Sequence, residues 1–493
     1  MHADLSRLTF RPAKHYSGVL AQQGRVQLDA DANEQHAIQQ HQARTLAADL
    51  IGQHGGPYGA AGFRIAYCRG ENTLDNLAIH GGRYYVDGIL CDAGRPPAGI
   101  PAGEGSGPKS ADGPAPEGEP AGESEGGQSP CDDPAVWTYW NQPDAYRDPE
   151  KPADRLPTQF PYLVCLRVWE RAVTAAEDPE IREVALGPAL PDTAARIKTV
   201  WQVLPLPAAE LTVPQSPTAA QIREAFRTWA DARRAPAASA AFRAERPERT
   251  DEEPCLTRPE YRYRGPENQL YRVEIHTGGT AETATFKWSR ENGSVVFPVA
   301  ALDGTWVELA TLGGDDKLDL NAGDRVELAD SASTSRGEGA ELLRVEEVDV
   351  PGRRVRLNAE PGPGTGRLPG LHPFLRRWDH RAPGARGTAR QHRDGTLKVV
   401  EGTWLDLEDG LQVWFEPGGR YRPGDYWSAP ARTATGTVEW PAAADRRPLL
   451  QPPAGIDVHY APLAWVGADG AVTDLRYTFR PLAAPVEAAS ADG

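Results

Sequence analysis

The side chains that could do chemistry are numerous in this chain but poorly grouped. Eleven histidines and 69 acidic residues supply potential bases, acids and ligands. His36 and His41, on one expected helix, together with His15 are the imidazoles that could in principle meet at a metal. On a helix, positions five apart lie about 140° apart around the axis at roughly 100° per residue, whereas i and i+4 share a face. These histidines therefore read as surface or capping residues rather than a metal site, and His372, His380, His392 and His459 are scattered. Cys68, Cys91, Cys131, Cys165 and Cys255 include no C-x-x-C pair, so reduced, structural thiols are expected. The local signatures G-x-S-x-G, H-E-x-x-H, G-x-x-x-x-G-K-[ST] and a helix-opening G-x-G-x-x-G are absent. Glycoside hydrolysis needs only two suitably spaced carboxylates and leaves no short signature, so the acidic residues neither exclude it nor single out a pair. Asn292-Gly293-Ser294 matches a glycosylation acceptor, but Asn-Gly is first a tight-turn signal, and a hairpin is expected there.

The most unusual polar run is Gln22 to Gln35. Gln23, Gly24 and Arg25 suit a turn, while Asp29, Asp31, Asn33 and Glu34 place oxygen acceptors and negative charge where a helix begins. Two acids at a helix start serve capping and the helix dipole more readily than catalysis. The run is expected to be ordered, packed against later β units, with the first helical amides satisfied by Asp29, Asp31 or Asn33.

The elements that must position these residues are mostly strands. The periodicity predicts a helix over 33–51, with Ile38, Leu46 and Leu50 apolar, and a second over 216–234, with Ile222, Phe226 and Trp229 on one face. Residues 77–91 read as strands around Gly81-Gly82 and Asp87-Gly88 turns. No helix-length period follows Arg234, and no βαβ alternation appears. The expected fold is mainly β with a minor α+β character: several small sandwich or barrel units, an N-terminal helix, one further helix and flexible Gly/Pro-rich insertions. The segments are an N-terminal strand, helix and meander (1–93), a disordered acidic insertion (94–133), a central β domain (134–300) with a flexible connector at 235–253, a small barrel-like unit (301–360) and a C-terminal β unit (361–493).

At 493 residues the chain has room for two to four domains, and 50 Gly with 45 Pro favour many turns. The net charge of −16 argues against nonspecific nucleic-acid binding, which needs a basic surface. No stretch approaches the roughly 20 apolar residues of a membrane span, and the first residues lack a signal-peptide pattern, so cytoplasmic residence without membrane insertion is expected. Thirteen Trp mostly suit β cores, with sugar stacking or subunit contact as alternatives. Trp169, Arg376, Arg377, Trp378, Tyr426 and Trp427 are the candidates for a protein interface. No cofactor is called for.

The polar run resembles the opening of an uncharacterised family associated with phage-tail-like contractile injection systems, also found at the N-terminus of some right-handed β-helix proteins. Further blocks carry the same resemblance: residues 161–171 and 181–187, Lys198 to Val203, Glu267 to Ile275, Phe286 to Ser294, Gly424 to Trp427 and Val438 to Pro441. The resemblance implies a non-enzymatic structural part of such a particle, at a peripheral baseplate, cage or fibre-attachment position. Its implied partners are other particle proteins (tube, sheath, baseplate or fibre) and further copies of itself, as a trimer or around a hub. A glycan-binding module and a glycan hydrolase are the alternatives. Such a particle would be assembled in the cytoplasm and released by lysis.

Overall fold

A computed structural model describes residues 1–70, 73–96, 129–187, 190–244, 263–313, 318–380, 392 and 394–482. Strands dominate, in several antiparallel sheets and one closed barrel, with a few helices between them. The chain forms two compact units, each drawn from three stretches rather than from consecutive segments. Met1–Gln39, Trp169–Val200 and Ala235–Asp457 make the first, and Gln40–Val168, Trp201–Arg234 and Val458–Gly493 the second.

The first unit contains the barrel, in strand order Val296–Asp303, Trp306–Leu309, Arg354–Leu357, Leu342–Asp349, Arg325–Ala329 and Phe374–Trp378. It extends beyond the expected 301–360 segment at both ends. Alternation fills it: Val307 and Leu309, Val326 and Leu328, Leu343 and Val345, and Val355 and Leu357 share one core. Beside it in sequence lies a five-stranded sheet ordered Leu397–Lys398, Thr285–Ser289, Gln269–Thr277, Tyr426–Arg432 and Thr437–Val438. Tyr271, Val273, Ile275, Phe286 and Trp288 of that sheet share a core with Phe242, Leu405, Val413 and Phe415 of a three-stranded sheet. One of those three strands, Ala240–Ala244, falls in the expected flexible connector. Buried Ala240 and Phe242 hold it on the strand Leu411–Phe415, a pairing far in sequence that composition does not reveal.

Among the described residues the α-helices are α1 (Asp29–Ile51), α2 (Ala219–Arg234) and α3 (Ser331–Arg336). Helix α1 begins four residues before the expected position 33 and buries only Ala30 and Ile38. Helix α2 packs Ile222, Phe226 and Ala230, as its period requires. Helix α3, too short for a periodic signal, is closed by a capping box between Asp330 and Ser333. Asn292 and Gly293 turn with positive φ of 53° and 66°. The flanking strands do not pair, however: Thr285–Ser289 stays in the five-stranded sheet while Val296–Asp303 enters the barrel.

The second unit has sheets around a core that includes Phe63, Leu77, Tyr84, Tyr162, Leu166 and Val203. Asp87-Gly88 closes a hairpin between Arg83–Val86 and Ile89–Asp92, whereas Gly81-Gly82 passes the chain between two sheets. Cys68 and Cys131, 63 residues apart, form a disulfide, which corrects the expectation of wholly reduced cysteines. Their pairing comes from the return of Pro130–Asp132 beside the strand Ile65–Cys68, a proximity that spacing does not disclose. Burial pushes the free thiols Cys91 and Cys165 up to about 12. Most of the expected acidic insertion (97–128), residues 245–253 of the expected connector, and Cys255 lie outside the described residues.

Candidate functional site

The site is built where the first residues of the chain meet the five-stranded sheet and the barrel. In the strand Gln269–Thr277, Tyr271, Val273 and Ile275 face the core, so Arg272 and Glu274 must face the other way. Lys287 is the cross-strand partner of Glu274, and in the barrel wall Arg376 is that of Glu327. Val326, Leu328 and Leu375 occupy the barrel core, which leaves Glu327 and Arg376 on its outside. Charged residues of this kind usually face water. Here all five are buried, around a cavity of about 110 Å³ also lined by Met1, His2, Arg171, Glu177 and His276.

Each carboxylate of this cluster is engaged. Glu274 receives His2 at 2.8 Å and Arg272 at 2.7 Å on one oxygen, with the Lys287 ammonium 3.3 Å from the other. Glu327 receives Lys287 at 2.8 Å and the Trp378 indole at 3.0 Å on one oxygen, and the Ala340 amide at 2.9 Å on the other. Glu177 receives Arg171 at 2.7 Å and the Thr334 hydroxyl at 2.9 Å. Burial would raise Glu274 and Glu327, but Arg272 and Lys287 around the first, and Lys287 and Arg376 around the second, outweigh it and hold both below the usual range. Burial, reinforced by Arg272 and Arg376, depresses His2; burial and Lys287 depress His276.

The N-terminal segment is anchored here. The Asn292 amide donates to the carbonyls of Met1 at 3.0 Å and Ala3 at 2.9 Å, and Arg272 donates to Met1 O at 3.2 Å. A Cβ on Gly293 would stand 2.7 Å from the His2 ring, so this turn needs glycine for space as well as for φ. With Asn292 only 2% exposed and its amide engaged, the acceptor-like Asn-Gly-Ser is part of the anchor. Arg432 donates to Ser6 O at 3.0 Å, and Arg7 pairs with Glu439 at 3.0 Å.

Beyond Phe10 the chain loops outward and returns to α1. Asp29 accepts from the Ser6 amide at 2.8 Å and hydroxyl at 2.6 Å; burial opposes, but these bonds hold its carboxyl below the usual range. Asp31 accepts from the Leu28 amide at 3.4 Å, Glu34 from the Thr9 hydroxyl at 2.6 Å, and Gln35 from the Val19 amide at 2.6 Å. The acids therefore tie the preceding chain to the helix. Gln23, Gly24 and Arg25 form an exposed turn, with the Arg25 amide on Gln22 O at 3.2 Å, and residues 21–29 are all exposed. Within the run only Ala30 is buried, and its polar side-chain contacts stay within the N-terminal segment and the first turns of α1.

The comparison that places the chain is direct: residues 1–113 and 217–492 match a family of unknown function, DUF6519. The chain belongs to that family. No curated protein and no solved structure matches it. The stretches matched to DUF6519 contain the anchored N-terminus, Asn292, Glu274, Lys287, Glu327 and Arg376, whereas Arg171 and Glu177 fall between them.

The six residues singled out for protein contact are all buried inside this DUF6519 fold. Trp169 and Arg376 line the cavity, Trp378 lies under the Lys287 ammonium at 4.3 Å, and Tyr426 lies under the Arg272 guanidinium at 3.5 Å. Arg377 donates to Asp319 O at 2.7 Å, and the Trp427 indole donates to Gln451 O at 2.9 Å within the sheet core. Sequence reasoning missed the cavity acids and bases. The available signal was strand alternation: Arg272, Glu274, Lys287 and Glu327 occur at every second position among apolar residues. No Trp is exposed, and arginines cover the half-buried rings of Trp137, Trp229, Trp306 and Trp404 at 4.8, 4.4, 5.3 and 4.1 Å. Among the described residues no group of His, Cys, Asp and Glu is arranged to hold a metal, and no helix is long and apolar enough to cross a membrane.

Proposed function

We propose that the chain is a structural component of a phage-tail-like contractile particle, at a baseplate, cage or fibre-attachment position, joined to further copies of itself through its N-terminal segment. One observation carries the self-association. Leu8, Tyr16, Leu20, Val26 and Leu28 stand exposed within 21 residues, Leu20 at 89% and Val26 at 83%, on a loop held at both ends by Asp29, Glu34 and Gln35. A tethered loop that presents large apolar side chains to water suits an intersubunit contact. Leu46 and Leu50 of α1, one turn apart and each 61% exposed, form a second apolar patch on the same chain. A chain with two unpartnered patches can satisfy both with copies of itself around a symmetry axis, so the occupant proposed is a second copy of this protein.

The particle itself comes from the sequence resemblance. Assembly in the cytoplasm followed by lysis also accommodates the disulfide, since Cys68 and Cys131 would close on release into an oxidising medium. The test is the mass of the purified protein in solution, together with its co-purification with sheath and tube. An oligomer that falls to monomer in a Leu20→Asp, Val26→Asp double variant is expected. A wild-type monomer that accompanies no particle would refute the proposal, and an oligomer indifferent to the double variant would remove the N-terminal loop from it.

A further inference from the structure

The cavity beside the anchored N-terminus holds one cation without a hydrogen-bonded counter-ion. Arg376 is 7% exposed, and its Nε is buried without a partner. Among the described residues none receives a hydrogen bond from its guanidinium. The nearby acids cannot serve it, because Glu274, Glu327 and Glu177 are committed to His2, Arg272, Lys287, Trp378, Arg171 and backbone or hydroxyl donors. Burial lowers the Arg376 pKa while Glu327, Glu274 and Glu177 raise it, so the acids act on this cation only through space.

We propose that this cavity binds a carboxylate, gripped by the open fork of Arg376. Charge counting selects the ligand class. The interior cations are Arg171, Arg272, Lys287 and Arg376, the interior carboxylates Glu177, Glu274 and Glu327, and burial holds His2, His276 and the Met1 amino group neutral. The surplus is one positive charge. Exposed Glu338, paired with Arg336 at 2.6 Å, and Glu170 also line the cavity, so a doubly charged phosphate would bring more negative charge than the single surplus cation offsets. A carboxylate neutralises the surplus and matches the planar guanidinium with two parallel hydrogen bonds. Size agrees: about 110 Å³ of accessible space holds several waters, hence a carboxyl group and a short stem. Gly337 and Gly339, both exposed, flank the mouth and leave it open to a ligand from solvent or to the end of a peptide.

The experiment is calorimetric titration and thermal shift of the full chain, at constant ionic strength, with acetate, propionate, inorganic phosphate, and a short peptide with either a free or an amidated C-terminus. Saturable binding of the monocarboxylates, with phosphate weaker, is expected. Preference for the free-acid peptide over acetate would assign a peptide end as the source, and the reverse would assign a small metabolite. Arg376→Gln should weaken carboxylate binding by roughly 10- to 100-fold, the worth of a charge-assisted pair. Without ligand it should raise the melting temperature, because it removes a buried charge that lacks a hydrogen-bonded partner. If that variant fails to fold, Gly339→Trp, placed at the mouth where a Cβ meets nothing closer than 3.9 Å, should abolish binding and leave the fold intact. Absence of saturable carboxylate binding, binding unchanged by either variant, or phosphate binding more tightly than acetate would overturn the proposal.

Discussion

Asn292 offers a clean perturbation of the N-terminal anchor, because its backbone and its side chain make separable contributions. Its amide donates to two carbonyls, Met1 O at 3.0 Å and Ala3 O at 2.9 Å, from a left-handed backbone with φ of 53°. Asn292→Gly keeps that backbone and deletes the side chain, a loss of about 2 kcal/mol at about 1 kcal/mol for each of the two short neutral hydrogen bonds, together with the long 3.4 Å bond its oxygen accepts from Arg272. Asn292→Ala deletes the same bonds and adds left-handed strain of about 1–2 kcal/mol, which outweighs the extra entropy of glycine at about 0.5–1 kcal/mol. Alanine should therefore be the more damaging. The assay is hydrogen exchange over residues 1–9, which reports local opening of this segment rather than unfolding of both units. A 2 kcal/mol loss corresponds to about 30-fold faster exchange where reclosing is fast and the opening equilibrium sets the rate, with the Ser6 amide as reporter through its 2.8 Å bond to Asp29. Unchanged protection in both variants, or glycine more damaging than alanine, would refute the account of the anchor.

Three further outcomes are expected. Lys287→Met leaves Glu327, which it contacts at 2.8 Å, with only the neutral Trp378 and Ala340 donors while Glu274 keeps Arg272, and should cost about 3–5 kcal/mol in urea unfolding; recovery by Glu327→Gln in the same chain checks that the cause is charge. His380, 1% exposed, is lowered by burial to about 4, so the folded state binds its proton later than the unfolded chain does; stability present above about pH 6.5 should be lost as the pH falls towards 4, and His380→Gln should flatten the melting-temperature profile in that window. Reduction of Cys68–Cys131, which closes a loop of 63 residues, should cost about 4 kcal/mol by the chain-entropy account; an unshifted melting temperature in dithiothreitol with both thiols titrated would contradict it.

The fold was legible where local pattern and tertiary packing agree. Helix α2 follows from Ile222 and Phe226 at helical spacing, and the barrel strands follow from pairs such as Val326 and Leu328 or Val355 and Leu357. The strand Ala240–Ala244 was hidden because its alanine-rich composition resembles a linker and its partner lies far along the chain, as with Phe242 opposite Val413, 171 residues away. The cavity was hidden for a related reason. Alternating charge in a strand normally marks a face in water, and only the tertiary arrangement shows Glu274 and Glu327 sharing one lysine. The six aromatic and basic residues taken for an interface reveal their type in sequence but not their burial. The polar run shows its acceptors in sequence, yet the partners of Asp29, Glu34 and Gln35, namely Ser6, Thr9 and Val19, lie upstream, where no helix-start rule looks.

The anchor also sets a schedule for synthesis. Residues Met1 to Arg7 are synthesised long before Asn292, Arg432 and Glu439, the residues that fix them. At roughly 5–20 residues per second, the nascent N-terminus waits on the order of tens of seconds for those contacts. During that interval Met1 to Arg7 lack their distant partners, which makes this segment a natural client for a chaperone, and the first unit closes only once the residues up to Asp457 have been made.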